Sequence, residues 1–300
     1  MNFQKIKTIG VIGAGTMGVG IAQVAAMAGY QVIVFDSNPS AFDIAKVKIR
    51  ANLDKLCLKG AISTINRDDA LAKITKKDSL EDFKDVDFII EAASENPEIK
   101  FEIFRRLDKI CRPDVILGTN TSSISVTEIS KMVEDGKKVI GMHFMNPVPI
   151  MKLVEIVMGS KTSDETLKVT QALAKKLDKK TVLANDFPEF IVNRILMPEL
   201  NEAMHALMEV VSTIKDIDTG MVLGCAHPMG PLTLADFIGL DVCLAIMKVM
   251  YQGLNDDKYR PCPLLEKMVA AGLFGNKTPD KGGFYLNGQP NPEVAELMKA

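Results

Sequence analysis

Two groups of residues in this 300-residue chain have the types and spacing that chemistry requires. The first is Gly13-Ala14-Gly15-Thr16-Met17-Gly18, a GxGxxG run between a β-branched stretch and a helical pattern. The first glycine permits a tight turn, the second lets the backbone approach a pyrophosphate, and the third lets helix and strand pack closely. A helix that starts here offers free N–H groups and a partial positive charge to phosphates. Gly13, Gly15, Thr16, Met17 and Gly18 are therefore candidate cofactor contacts. Asp36, 18 residues past Gly18, closes the next strand. There a carboxylate accepts hydrogen bonds from an adenine ribose and repels a 2′-phosphate, so the pattern points to NAD rather than NADP. A plain structural turn is the alternative for the glycines alone; strand, helix and acid together argue against it. Nothing else suggests flavin chemistry.

The second group lies just after strands, where ligands collect in an open parallel sheet. Glu91-Ala92-Ala93-Ser94-Glu95 follows one strand and Asn120-Thr121-Ser122-Ser123 follows the next. His143 ends a third, and Glu155 lies twelve residues on, in the strand after it. An imidazole held by a carboxylate through one nitrogen can take a proton with the other. For Glu155 the residues leave two readings open, a partner for His143 or a surface acid on an edge strand. Of the other two histidines, His205 in a helix reads as structural and His227, before a proline in a turn, as loop surface.

The elements that must position these groups follow from periodicity. Strands are expected at Thr8–Ile12, Gln31–Phe35, Asp87–Ile90, Val115–Gly118, Val139–His143, Leu153–Val157 and, more weakly, Thr181–Ala184. Helical patterns at Met17–Ala28, Ser40–Leu58, Pro97–Ile110 and Val126–Val133 separate them. The alternation predicts an α/β, Rossmann-type domain with a mostly parallel sheet over residues 1–186. From 187 to 300 apolar residues recur only at helical spacing, at Ile191–Val210, Leu232–Met250 and Pro263–Ala271, which predicts an all-helical domain. An uncharged run from Thr8 to Phe35 behind Lys5 and Lys7 resembles an export signal, but six glycines interrupt it. Thirty-six basic against 38 acidic residues give a net charge of −2, which supplies no basic field for nucleic acid or an anionic membrane. Five scattered cysteines form neither a zinc pattern nor a disulfide framework and suggest a reducing, cytoplasmic setting.

These residues resemble the L-3-hydroxyacyl-CoA dehydrogenases over nearly the whole chain, most closely the single-function bacterial 3-hydroxybutyryl-CoA branch. The resemblance rests on Gly13–Gly18, Asn120–Ser123, the block from Gly141 to Glu155, Ile191–Arg194 and His227–Leu240. It implies that Ser122 hydrogen-bonds the substrate's 3-oxygen, that His143 is the general base, and that Glu155 orients it. It also implies that Asn193 helps to hold the acyl group; by itself Asn193 reads as a buried polar residue of a helix. Lys55 and Lys59, four apart on one helical face, match lysines that meet coenzyme A phosphates, although a solvated charged face explains them too. Glu95, Lys100 and Asn120 match positions near the nicotinamide half of the cofactor. An acyl-CoA substrate and a homodimer joined through the helical half follow from the same resemblance.

The chain departs from the family pattern where Glu189 stands in place of a usual glycine. At the start of a helix its charge would meet the positive end of the helix dipole. A second departure alters the segment from Lys277 to Tyr285. Two rival readings are a hydroxy-acid or sugar-acid dehydrogenase that does not need CoA, and an NAD-binding sensor. Acyl-chain length and physiological direction are not legible.

Overall fold

The β-branched runs assemble into one eight-stranded sheet in the computed structural model, which describes residues 3–299. Its strands are β1 (Thr8–Ile12), β2 (Gln31–Phe35), β3 (Ile74–Lys76), β4 (Phe88–Glu91), β5 (Ile116–Thr119), β6 (Val139–Phe144), β7 (Leu153–Met158) and β8 (Lys180–Asn185). The spatial order is β3-β2-β1-β4-β5-β6-β7-β8. All neighbours run parallel except β6 and β7, which pair antiparallel. Strands β4, β5 and β6 are buried at every position, as expected where helices cover both faces of a parallel sheet.

Helices α1 (Thr16–Met27), α2 (Ala41–Leu58), α3 (Thr64–Ala72), α4 (Pro97–Ile110), α5 (Val126–Ser130) and α6 (Asp164–Lys176) belong to this first unit, which extends to Phe190. The glycine- and alanine-rich α1 is buried from Gly18 to Ala26, because small side chains let it lie close to the sheet. Three of these elements were not expected. Strand β3 is a three-residue edge, and α3 buries only Ala70, so neither carries a hydrophobic period. Helix α6 does carry its signals: Ser163 caps it by accepting from Thr166 N, with Asp164 and Glu165 in its first turn and Lys175 and Lys176 in its last.

The second unit, from Ile191 onward, is mostly helical: α7 (Val192–Met208), α8 (Ile214–Gly224), α9 (Pro231–Ile238), α10 (Leu240–Leu254), α11 (Pro263–Ala270) and α12 (Pro292–Lys299). It is not all-helical as expected, because β9 (Tyr285–Leu286) and β10 (Gln289–Pro290) pair antiparallel across the turn at Asn287-Gly288. The single helical run expected over Leu232–Met250 is two helices, divided at Gly239, whose φ of 105° favours glycine. A small core around Met204, Leu232, Met247, Leu265 and Phe284 joins the helices. Asp236 staples the C-terminal segment to α9 by accepting from Phe284 N at 2.9 Å and Tyr285 N at 2.8 Å. A Cβ on Gly283 would stand 1.9 Å from the Asp236 carboxylate, so this position needs glycine. No helix among the described residues is long and apolar enough to cross a membrane.

Helix α7 begins at Val192 with Ile191 as its N-cap, and buried Glu189 lies two residues before that cap. Glu189 and Phe190 adopt left-handed conformations, at φ 63° and 51°. This is backbone that glycine enters without a Cβ penalty, so glycine would be the less strained residue here.

Candidate active site

The turn between β1 and α1 gives each glycine a separate task. Gly13 has φ 100°, and a Cβ there would lie 2.4 Å from the Ala92 carbonyl oxygen. A Cβ on Gly18 would lie 1.9 Å from the Gly13 carbonyl oxygen, whereas one on Gly15 would meet nothing within 4 Å. The open space beside Gly15 belongs to a cavity of about 750 Å³ that Gly13, Thr16, Met17, Asp36 and Ala93 also line. Asp36 closes this cavity at the end of β2. Its Oδ2 accepts from Ala14 N at 2.7 Å and its Oδ1 from Asn38 N at 2.8 Å, which ties the carboxylate to the glycine turn. A close-approach glycine at a helix N-terminus with an acid at the neighbouring strand end fits a dinucleotide. Arg106, which carries no motif in the sequence, also lines the cavity and pairs with Glu81 at 2.8 Å.

A charge cluster, buried at Lys100 and Glu91 and partly exposed at Glu95, supports the wall of the cavity. Lys100, 1% exposed on α4, places its ammonium 2.7 Å from Glu91 Oε1 and 3.3 Å from Glu95 Oε2. Glu91 also accepts from Ala93 N and from the Thr119 hydroxyl, each at 2.7 Å. Glu95 Oε1 turns toward the segment after β5 and accepts from Ser122 N at 2.9 Å, Ser123 N at 3.0 Å and the Thr121 hydroxyl. Asn120 Oδ1 accepts from Phe144 N at 2.9 Å, which brings the Ser122 segment to the end of β6 beside His143. Lys100 is thus committed to its carboxylates, and Asn120 bonds β6 through its carbonyl oxygen, neither of which the sequence revealed.

His143 and Glu155 stand directly opposite each other in the antiparallel β6–β7 pair. That register places both side chains on one face and explains the spacing of twelve. His143 Nδ1 lies 2.6 Å from Glu155 Oε2, and the ring and the carboxylate are both buried. Glu155 is therefore no surface acid; β8 covers β7 on its far side. Phe190 packs edge-on against the imidazole, with ring centroids 5.5 Å apart. The loop that follows β6 is held by buried Lys179, whose ammonium donates to the Val148 carbonyl at 2.5 Å and the Met151 carbonyl at 2.8 Å. Burial pushes the Lys179 ammonium below its ordinary pKa. Neither Phe190 nor Lys179 stood out in the sequence, because a single phenylalanine or lysine has no pattern.

The remaining candidates are placed as follows. Lys55 lies in the last turn of α2 and Lys59 caps its C-terminus, both exposed. Asn193 is in the first turn of α7, in the second unit. His205 lies within α7, and His227 is paired with Glu199 at 3.2 Å rather than standing as bare loop surface.

Comparison with known proteins identifies both domains. Residues 8–187 match the model of the 3-hydroxyacyl-CoA dehydrogenase NAD binding domain, and residues 190–286 that of the 3-hydroxyacyl-CoA dehydrogenase C-terminal domain. A probable 3-hydroxybutyryl-CoA dehydrogenase of Deinococcus radiodurans is 52% identical over 92% of this chain and 98% of its own length. A probable 3-hydroxybutyryl-CoA dehydrogenase of Bacillus subtilis is 48% identical over 94% of this chain and 97% of its own. The crystal structure of (S)-3-hydroxybutyryl-CoA dehydrogenase from Ralstonia eutropha superposes with a TM-score of 0.90 at 44% identity, covering 94% of this chain and 99% of that one. A glycine turn with its acid, a carboxylate-held imidazole and two matched domains lead to one conclusion: the chain is an oxidoreductase of the 3-hydroxyacyl-CoA dehydrogenase family, and its first domain is that family's NAD-binding domain.

Proposed function

We propose that this protein interconverts an L-3-hydroxyacyl-CoA, with 3-hydroxybutyryl-CoA as the reference substrate, and the corresponding 3-oxoacyl-CoA. The observation that carries the reading is the buried His143–Glu155 pair at 2.6 Å. Glu155 engages Nδ1 and leaves Nε2 as the working nitrogen. Neutral His143 takes the proton of the substrate 3-hydroxyl, and the Glu155 carboxylate stabilises the imidazolium that results. Ser122 holds the substrate 3-oxygen by a hydrogen bond, and Asn193 helps to fix the acyl group. The glycine turn from Gly13 to Gly18 and Asp36 hold NAD, with Lys100 and Asn120 supporting the walls of its site. Bound NAD supplies the hydride acceptor. Reduction reverses the proton transfer, with the imidazolium as acid. A positioned general base contributes about 10²- to 10⁴-fold, and orientation of the bound groups supplies much of the remainder.

Lys55 and Lys59, exposed at the end of α2, are the proposed contacts for coenzyme A phosphates. A homodimer through the helical unit completes the reading. Val210, Val211, Leu223 and Phe237 stand exposed there and are available to such an interface. The setting proposed is the cytoplasm.

The direct test is NADH consumption with acetoacetyl-CoA set against free acetoacetate. Turnover of the thioester alone supports the proposal. Equal turnover of the free acid favours a hydroxy-acid dehydrogenase on the same plan, and turnover of neither favours a sensor.

A further inference from the structure

The segment from Asp186 to Phe190, which follows β8, ends in backbone that side chains rarely adopt. Glu189 and Phe190 are consecutive non-glycine residues in left-handed conformations, at φ 63° and 51°. Such conformations persist only where the surroundings fix them, and they gather at functional sites. At the start of the segment, the Asp186 carboxylate accepts from Val126 N at 2.9 Å, Thr127 N at 2.8 Å and the Ser125 hydroxyl at 2.6 Å, which ties it to the first turn of α5. At its end, Phe190 N donates to the Phe187 carbonyl at 3.1 Å and closes a turn.

That turn separates two phenylalanines. Phe187 is 65% exposed and Phe190 only 6%. Phe190 meets the imidazole of His143 with ring centroids 5.5 Å apart and planes inclined at 61°. The strained backbone thus delivers one particular ring to one particular imidazole. Glu155 by itself does not orient that imidazole. Its contact at 2.6 Å fixes Nδ1, but the second torsion of a histidine side chain is broad, and a ring can swing about a single hydrogen bond. A catalytic group must be held within about 10–20° of its working geometry by packed neighbours. Phe190 supplies the second restraint and keeps water from the part of the ring that it covers.

We propose that Phe190 is a positioning residue for His143. The left-handed turn at 189–190 sets its ring on the imidazole, so that Glu155 selects the working nitrogen and Phe190 fixes the plane in which that nitrogen points. The proposal rests on the dehydrogenase reading for what the nitrogen does. The contact and the shielding do not depend on that reading.

Phe190→Ala and Phe190→Leu test it, with Phe187→Ala as the control from the same segment. The first measurement needs no substrate. Diethyl pyrocarbonate carbethoxylates a neutral imidazole nitrogen, and mass spectrometry of the peptide that holds His143 gives the rate. Phe190→Ala should speed this reaction about 3- to 10-fold, Phe190→Leu should recover part of the protection, and Phe187→Ala should leave the wild-type rate. An unchanged rate in Phe190→Ala, or an equal rise in Phe187→Ala, overturns the proposal. Phe190→Leu keeps most of the apolar bulk and carries the same comparison if the alanine variant does not fold.

The second measurement is NADH-dependent reduction of acetoacetyl-CoA. Phe190→Ala should lower kcat about 3- to 10-fold, with the KM for acetoacetyl-CoA and the NADH dissociation constant each within about twofold of wild type. In the His143→Ala background the same substitution should have little further effect on kcat. Additive losses, or a loss confined to KM, contradict action through His143. If His143→Ala alone keeps full turnover, the reading of His143 as the base fails, while the carbethoxylation rate still decides whether Phe190 holds and shields the imidazole.

Discussion

Gly15 and Gly18 stand three residues apart, and alanine should damage the protein in opposite ways at the two sites. At Gly18 the added Cβ would lie 1.9 Å from the Gly13 carbonyl oxygen and 2.8 Å from its carbon. These are backbone atoms, so the start of α1 must move away from the turn. Overpacking of this kind costs about 1–3 kcal/mol. For a domain of this size each kcal/mol lowers Tm by about 2–4 °C, so Gly18→Ala should melt roughly 2–12 °C below wild type. At Gly15 the Cβ meets nothing within 4 Å, and φ −71° with ψ −172° suits any residue. Gly15→Ala should therefore leave Tm unchanged or raise it, since alanine narrows the unfolded ensemble by about 0.4–1 kcal/mol. Its methyl group would instead occupy the space into which a pyrophosphate must come. Losing even one charge-assisted bond from the turn corresponds to about 1.5–3 kcal/mol, or roughly 10- to 100-fold in the NADH dissociation constant. Calorimetry and an NADH fluorescence titration on the two variants decide the matter. Equal losses of Tm, or wild-type NADH affinity in Gly15→Ala, would refute the division of labour.

At position 189 the useful comparison is between Glu189→Gly and Glu189→Ala, because both remove the carboxylate and only glycine relieves the backbone at φ 63°. Glycine should be the more stable of the two by about 1 kcal/mol, the reverse of the usual order; an alanine variant that melts higher would contradict the strain. In the helical unit, burial pushes the Asp236 carboxyl up to about 6, against the backbone N–H groups of Tyr285 and Phe284 and with help from the Asp218 charge. The folded form then holds its proton more tightly than the unfolded chain, whose carboxyl titrates near 4, so this contribution is complete below about pH 4 and is lost as pH rises through about 6. Relative to Asp236→Asn, the wild type should gain about 1.4 kcal/mol of stability between about pH 7 and pH 5 in urea unfolding; a constant difference would show that Asp236 titrates normally.

The sequence was informative wherever one local pattern maps onto one physical demand. The Gly13–Gly18 turn, its acid and the strand ends that carry Ser122 and His143 were legible for that reason. Glu155 was only half legible: its spacing from His143 was plain, but its pairing required the antiparallel register, which no local pattern announces. The Glu91–Lys100–Glu95 cluster shows the limit more sharply. Two of its members were visible as residues near the cofactor, yet bonds from Glu95 to Ser122 and Ser123 cross 27 and 28 positions of sequence. Phe190 against His143 and Lys179 under the Val148 loop escaped for the same reason, since both act through tertiary contacts of a single side chain. At Glu189 the helical pattern that follows suggested a helix start, while the left-handed backbone at φ 63° has no signal in the residue type.

The central claim, that a Glu155-held His143 moves the proton in 3-hydroxyacyl-CoA oxidation, is tested most directly by His143→Ala. The quantity to measure is kcat for NADH-dependent reduction of acetoacetyl-CoA at saturating cofactor, with NADH affinity determined on the same preparation. Removal of the general acid–base should lower kcat by about 10² or more while the NADH dissociation constant stays close to wild type. Near-wild-type turnover in His143→Ala with intact NADH binding would contradict the account.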